Sequence, residues 1–192
     1  MTEDEVLAEF RSADALLEGH FILSSGKRSA AYLQCARVLM EPARAARLAE
    51  ALAAKIPADV RDSIDAVVSP AMGGVIIGHE MGRALGKPAM FLERPEGTFH
   101  LRRGFALEKG AKVLMVEDVV TTGLSSREAI EAVAEEGGEV VGEVSLVDRG
   151  GGDSLGVPYW ALVKLDIPAY DPDALPPELA AIPAIKPGSR AS

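Results

Sequence analysis

The chain has 192 residues, 48% hydrophobic and 26% charged, which suits one globular domain with a core to bury and at most a small appendage. A formal net charge of -9 and a pI near 4.9 argue against a nucleic-acid binder, which shows a basic face, and require any anion site to be built locally. No apolar run is long enough to span a membrane, the acidic start MTEDEVLAEF is unlike a secretory leader, and one cysteine, Cys35, builds no disulfide, so a cytoplasmic location is expected.

Along residues 3–17, Val6, Leu7, Phe10, Leu16 and Leu17 recur at roughly helical spacing, which predicts an amphipathic helix. A polar turn, LSSGKRS, follows, and then AAYLQCARVLM, a strand or short hairpin. Pro42 opens a helical stretch at a tolerated first-turn position, and Pro57 closes it. Residues 66–68 form a short apolar strand that leads through SPAMGG into the helical stretch VIIGHEMGRAL, stopped by Gly86. Residues 88–92 give a second strand and, after an Arg-bearing segment, residues 112–116 a third that ends at Glu117 and Asp118. The loop VVTTGLS then delivers the chain to the helix SREAIEAVAEEGG, where Ser125 and Glu128 have capping-box spacing and Gly137 with Gly138 supplies the stop. A fourth strand, EVVGEVSLV, ends at Asp148 and Arg149, and a Pro-rich tail covers 168–187. No internal repeat is visible. Buried strands alternating with helices imply an α/β fold, a doubly wound and mostly parallel sheet, with ligands at the carboxyl ends of its strands.

Every polar motif of interest falls at such an end. In VLMVEDVVTTGLSS the strand brings two carboxylates, Glu117 and Asp118, to the rim, and a hydroxyl-rich turn runs into a helix N-terminus. Backbone N–H groups there, with Thr121, Thr122, Ser125 and Ser126, make a phosphate cradle. The acids suit a sugar diol or a hard cation carried by the substrate. A diol beside a phosphate describes a ribose 5-phosphate. The plainer reading is a strand cap followed by a helix cap.

The ordered string of apolar strand, acidic pair, two apolar residues and Thr-Thr-Gly resembles the phosphoribosyl-pyrophosphate motif of type I phosphoribosyltransferases. No Gly-Lys-Ser/Thr follows, so it is not a Walker A loop. The resemblance implies that Glu117 and Asp118 hold the ribose hydroxyls and that Val119, Val120, Thr121, Thr122, Gly123, Leu124 and Ser125 line the 5-phosphate loop. Leu124 stands where a small residue is usual. VVSPAMGGVIIG, with Ser69, Ala71, Gly73 and Gly74, resembles the pyrophosphate loop of orotate phosphoribosyltransferases; taken alone, such a turn often does no more than pack a helix on a strand. The segment FLERPEGTFHLRRGF reads either as a solvated hairpin or as a lid whose Arg94, Arg102 and Arg103 close over pyrophosphate. The resemblance implies a lid shared across a homodimer and usually rich in lysine. None precedes Lys109 here, so Arg94, Arg102, Arg103 and Asp118 stand as catalytic candidates, and His100 is either a proton donor or an idle surface histidine.

Arg149, in VSLVDRGGG, can pair bidentately with a planar carboxylate and resembles the orotate-recognising arginine of these enzymes. GHFILSSGKRSAAYLQC looks like their hood, with Ser24 in place of a lysine, Lys27 close behind it and Tyr32 and Leu33 where ring-stacking residues are expected. KPGSR is similar to the end of a subgroup. The expected organisation is thus a single domain over 1–192, with a hood mainly in 1–40, a core over about 41–165 and a tail over 166–192. The resemblance implies that orotate N1 attacks ribose C1 as pyrophosphate leaves, with Mg²⁺ carried by phosphoribosyl pyrophosphate beside Glu117 and Asp118, for pyrimidine biosynthesis. Rival readings are a phosphoribosyltransferase for a purine or uracil, and a non-catalytic nucleotide-sensing regulator on the same fold. No nucleic-acid or membrane partner is expected. His20 and His79 lack metal-ligand partners, and Cys35 reads as a buried thiol.

Overall fold

The computed structural model describes residues 1–23 and 26–186; Ser24 and all but the first residue of KPGSR lie outside them. The chain opens with α1 (Glu3–Ser12), started by a reciprocal cap in which Glu5 N–H donates to Thr2 Oγ1 at 3.3 Å and Thr2 N–H to Glu5 Oε2 at 2.7 Å. The helix does not reach Leu17. Asp14 takes a positive φ of 49°, and Leu16 and Leu17 open β1 (Leu16–Ile22), which pairs antiparallel with β2 (Arg28–Leu33). The helical spacing of those two leucines was fortuitous: they pack as the first residues of a strand. AAYLQCARVLM divides between the end of β2 and a short helix, α2 (Cys35–Leu39).

Two helices follow, α3 (Pro42–Ala53), with its proline in the first turn, and α4 (Ala58–Ser63). Beyond them come β3 (Ala66–Pro70), α5 (Gly74–Leu85), β4 (Ala89–Glu93), β5 (His100–Leu101), β6 (Lys112–Val120), α6 (Leu124–Glu135), β7 (Glu139–Asp148) and β8 (Tyr159–Lys164). Gly86 ends α5 at φ 65°, a left-handed cap that glycine takes without strain. The main sheet runs in the order β5-β4-β3-β6-β7-β8, parallel throughout except for β5.

Helices cover both faces, as a doubly wound sheet requires. On one face Leu48, Leu52, Ile77 and Met81 of α3 and α5 pack on Val67, Leu114, Val116, Val144 and Leu146. On the other, Ala129, Ala132 and Val133 of α6 pack on Val68, Val113 and Met115. At about 25 cal/mol per Å² of apolar surface removed from water, these two layers supply the main driving force for the fold.

The tail is part of the hood. After β8 the chain forms β9 (Ala169–Tyr170), which pairs antiparallel with β2 and completes a small sheet in the order β1-β2-β9. A short helix, α7 (Pro177–Ala180), follows, and Ile185 then bridges Phe21. His20 Nδ1 lies 2.8 Å from Ile182 O.

Candidate active site

The carboxyl ends of β3, β6 and β7 set the site. β6 and β7 are in register to their last residues, with Val120 opposite Asp148, and Arg149 N–H donates to Val120 O at 2.8 Å. The loop that begins at Thr121 and the base-recognition candidate Arg149 therefore leave the sheet side by side.

Glu117 is buried and Asp118 half-buried at the end of β6. Burial pushes the Glu117 carboxyl up to about 8; Asp118 and Glu143 push the same way and Arg94 opposes them. Asp118 is raised as well, chiefly by burial, although its Oδ1 accepts from Val119 N–H at 2.9 Å. Behind the pair, the Cys35 thiol approaches Asp118 O at 3.9 Å, and burial with the nearby acids holds it well above the ordinary thiol range. A thiol held protonated in this way is a poor nucleophile.

The turn after β3 lies against this pair. A methyl at Gly73 would stand 2.7 Å from Asp118 Oδ1, and one at Gly74 would stand 2.9 Å from Val116 O and 3.3 Å from Glu117 Oε2. Glycine at both positions is what lets the loop and the acids share one rim. Ala71 is half-buried and its bond to Met72 is cis. Ser69 behaves differently from its expected role as a rim residue. It is buried, and a methyl at Gly78 of α5 would stand 2.5 Å from its Oγ, so its side chain packs beneath the helix.

The loop 121–125 is shaped by Gly123, whose φ is 71° and which precedes α6. A side chain at Gly123 would strike Ser154 Oγ and Gly151 O, so the loop is wedged against the turn that follows Arg149. Ser154 Oγ donates to Gly151 O at 2.7 Å, and Arg127 Nη1 donates to Ser154 Oγ at 2.7 Å and to Thr122 O at 3.3 Å. Arg127 was missed from sequence, yet its place one turn into the helix after a Thr-Thr-Gly loop was a usable signal. Thr121, Thr122, Leu124 and Ser125 are exposed on the rim, and Val120 is buried. The expected Ser125–Glu128 capping box does not form: the N-cap is Gly123, Thr122 Oγ1 accepts from Leu124 N–H at 3.4 Å, and Glu128 instead pairs with Arg94. The positive φ at Gly123 starts the helix a residue before Ser125, which places that serine inside the first turn.

Arg94, Arg102 and Arg103 lie on a short hairpin in which Glu93 pairs with His100 across β4 and β5. Arg102 and Arg103 both pair with Glu93, and Arg94 pairs with Glu128 with its guanidinium 4.0 Å from the Phe99 ring centroid. All three are exposed, and Arg94 is the one whose charge acts on Glu117. His100 is exposed beside them.

Arg149 is half-buried, its Nη2 donates to Ile167 O at 3.0 Å, and its buried Nε has no hydrogen-bond partner among the described residues. Asp148 does not pair with it. The Asp148 carboxylate accepts instead from Gly150 N–H at 2.8 Å and Gly152 N–H at 3.3 Å, which shapes the turn. In the hood, exposed Lys27 lies 3.5 Å from Asp171, and Tyr32 packs on Phe21 with ring centroids 5.8 Å apart. Phe21 was read as no more than part of the hood.

Residues 38–156 match the family model of the phosphoribosyl transferase domain. The chain is 71% identical to the orotate phosphoribosyltransferase of Rhizorhabdus wittichii, over 100% of its own length and 98% of the relative's. It is likewise 71% identical to the protein of that name from Erythrobacter litoralis, over the whole of both. Among solved structures it resembles orotate phosphoribosyltransferase from Aeropyrum pernix, with a TM-score of 0.69 and 29% identity, over 83% of this chain and 93% of that one.

Proposed function

The chain belongs to the phosphoribosyltransferase family, among its orotate phosphoribosyltransferases, and we propose that the rim of β3, β6 and β7 is where it joins ribose 5-phosphate to orotate. The observation that carries this reading is the shared register of β6 and β7, which sets a phosphate loop beside Arg149. The product is orotidine 5-phosphate, a step toward UMP, with pyrophosphate released.

In this reading the 5-phosphate rests on the N–H groups of 121–125 at the start of α6, where backbone donors and the helix dipole favour an anion despite the acidic whole. Glu117 and Asp118 accept from the ribose hydroxyls. The pyrophosphate lies along the loop at Ala71, Gly73 and Gly74. The Arg149 fork faces the orotate carboxylate, a pairing for which a purine offers no counterpart. Lys27 and Tyr32 of the hood cover the base, with Thr121 at its edge. Orotate N1 attacks C1 as the C1–oxygen bond to pyrophosphate breaks, so no covalent enzyme intermediate is required. The protein contributes alignment and neutralisation of the departing charge, and Arg94 is the lid arginine best placed for the latter because its charge already reaches Glu117.

Mg²⁺ fits this donor set. Glu117 and Asp118 offer hard oxygen ligands in a buried environment that a cation relieves. Among the described residues no three His, Cys, Asp or Glu side chains form a metal cage, which suits an ion that arrives on phosphate oxygens. When bound there it would offset pyrophosphate charge. A homodimer is part of the same reading, supported by Met72, 83% exposed, and Ile76, 45% exposed, beside the pyrophosphate loop. The location proposed is cytoplasmic, supported by the lone buried thiol; among the described residues no helix is long and apolar enough to cross a membrane.

The test is the loss of orotate ultraviolet absorbance with phosphoribosyl pyrophosphate and Mg²⁺, beside assays on uracil, adenine and hypoxanthine. Turnover of orotate alone is expected. Activity on another base would overturn the role given to Arg149, and omission of Mg²⁺ should abolish turnover.

A further inference from the structure

Beneath the phosphate loop lies a third acid that the transfer reaction does not touch. Glu143, on β7, is fully buried, with Oε1 accepting from Ser126 Oγ at 2.6 Å and Oε2 without a partner among the described residues. Burial raises its carboxyl to about 7, and the Ser126 hydrogen bond opposes that rise. Leaving a buried polar atom unsatisfied destabilises a fold, and an apolar side chain of similar volume would avoid the loss. What the carboxyl supplies in return is its bond to Ser126.

Ser126 is itself buried, the third residue of α6. The residue before that helix is a glycine and the one side-chain bond to its first N–H, from Leu124 N–H to Thr122 Oγ1 at 3.4 Å, stays within the loop, so the bond to Glu143 is the side-chain tie that the first turn makes to the sheet. The N–H groups of that turn are the ones assigned to the 5-phosphate. Each must point at a common centre, and the hydrogen bonds from Arg127 and Ser154 reach the loop from its exposed side.

We propose that Glu143 is a positioning residue, which through Ser126 holds the first turn of α6 on the sheet so that the N–H groups of 121–125 converge on the 5-phosphate. The role rests on the phosphoribosyl reading of the loop. It acts chiefly on one substrate, because Arg149, the main contact to the base, is held separately, by Ile167 and Val120, and Thr121 meets the base only at its edge.

The experiment pairs calorimetric binding of ribose 5-phosphate with steady-state kinetics for wild type, Ser126→Ala, Glu143→Leu, Glu143→Gln and the Ser126→Ala/Glu143→Leu double variant. Loss of one buried hydrogen bond should weaken ribose 5-phosphate and raise KM for phosphoribosyl pyrophosphate about tenfold in Ser126→Ala and in Glu143→Leu. KM for orotate should stay within about twofold. The double variant should be no weaker than either single one, because both remove the same bond. Glu143→Gln, which keeps the length and the acceptor, should restore binding. If Glu143→Leu fails to fold, Ser126→Ala carries the test. Wild-type binding in Ser126→Ala, equal changes in both KM values, or additive losses in the double variant would overturn the proposal. A wild-type chain that binds ribose 5-phosphate, loses that binding in the variants and yet never consumes orotate would uphold the positioning role and refute the assigned reaction.

Discussion

The phosphate loop and the arginine hairpin 93–104 face the same rim but are held in opposite ways. The loop is fixed from below and beside. Strand register places its start, glycine contacts wedge it, and the buried Ser126–Glu143 bond holds the helix that follows. The hairpin is anchored by buried Phe99 and the β4–β5 pairing, but its three arginines are held by exposed ion pairs, Arg94 to Glu128 and Arg102 and Arg103 to Glu93, which contribute roughly 0–1 kcal/mol each. The contrast separates two tasks. In the proposed reading, the groups assigned to the ribose phosphate are preorganised, whereas the arginines assigned to the departing pyrophosphate rest on contacts that are cheap to exchange for a more anionic partner.

The comparison is broken most directly at the acidic pair. Asp118→Asn should lower kcat/KM for phosphoribosyl pyrophosphate about a hundredfold, since a charged acceptor is lost from a preorganised site; steady-state kinetics would expose a smaller effect. Arg149→Ala should raise KM for orotate about thirtyfold with kcat little changed. An unchanged orotate KM would remove Arg149 from the base site.

Acidity sharpens the buried side of the contrast. The Glu143 carboxyl is raised from an ordinary value of 4.5 to about 7, so the native state binds its proton more tightly than the unfolded chain does. Its stabilising contribution is complete below the ordinary value and is lost as pH rises through the raised one. Between pH 5 and 8 the wild type should lose on the order of 2 kcal/mol that Glu143→Gln does not lose, measured by denaturant unfolding of both. Parallel curves would show that the acid is not held neutral. The smallest effects belong to the hairpin. Arg94→Ala should reduce kcat about tenfold while stability changes by less than about 0.5 kcal/mol. Arg102→Ala and Arg103→Ala should each lower kcat less than about threefold, and a larger loss in either would transfer the lid role to it.

Much of the preorganised side was legible in the sequence because buried parallel strands read as unbroken apolar runs. Val67 and Val68, 112–116 and 139–147 declared themselves, and the acids and hydroxyls had to fall at their ends. The losses came where short-range patterns misled. Leu16 and Leu17 fit a helical spacing that Asp14 interrupts, and Ser125 and Glu128 fit a cap that the left-handed Gly123 pre-empts. Glu143 drew no reading from the sequence; it is buried where β7 meets β8 and α6, with Tyr159 opposite it and Ser126 bonded to it. Strand β8, which pairs with its neighbour β7, went unread, and β9 was hidden in the proline-rich tail because its partner β2 lies far away along the chain.

That distance orders events during folding. The hydrogen-bonded pair His20 and Ile182 is 162 positions apart, with the whole doubly wound sheet between its members. Closing so long a span in a loose chain is entropically unfavourable, but a folded core brings the two ends together beforehand. The seam between β1 and the tail should therefore close after the local β1–β2 hairpin, and open first. In hydrogen-exchange labelling, the amides of Ile22 and Ile185, which bond across that seam, should lose protection at a lower opening free energy than those of β6.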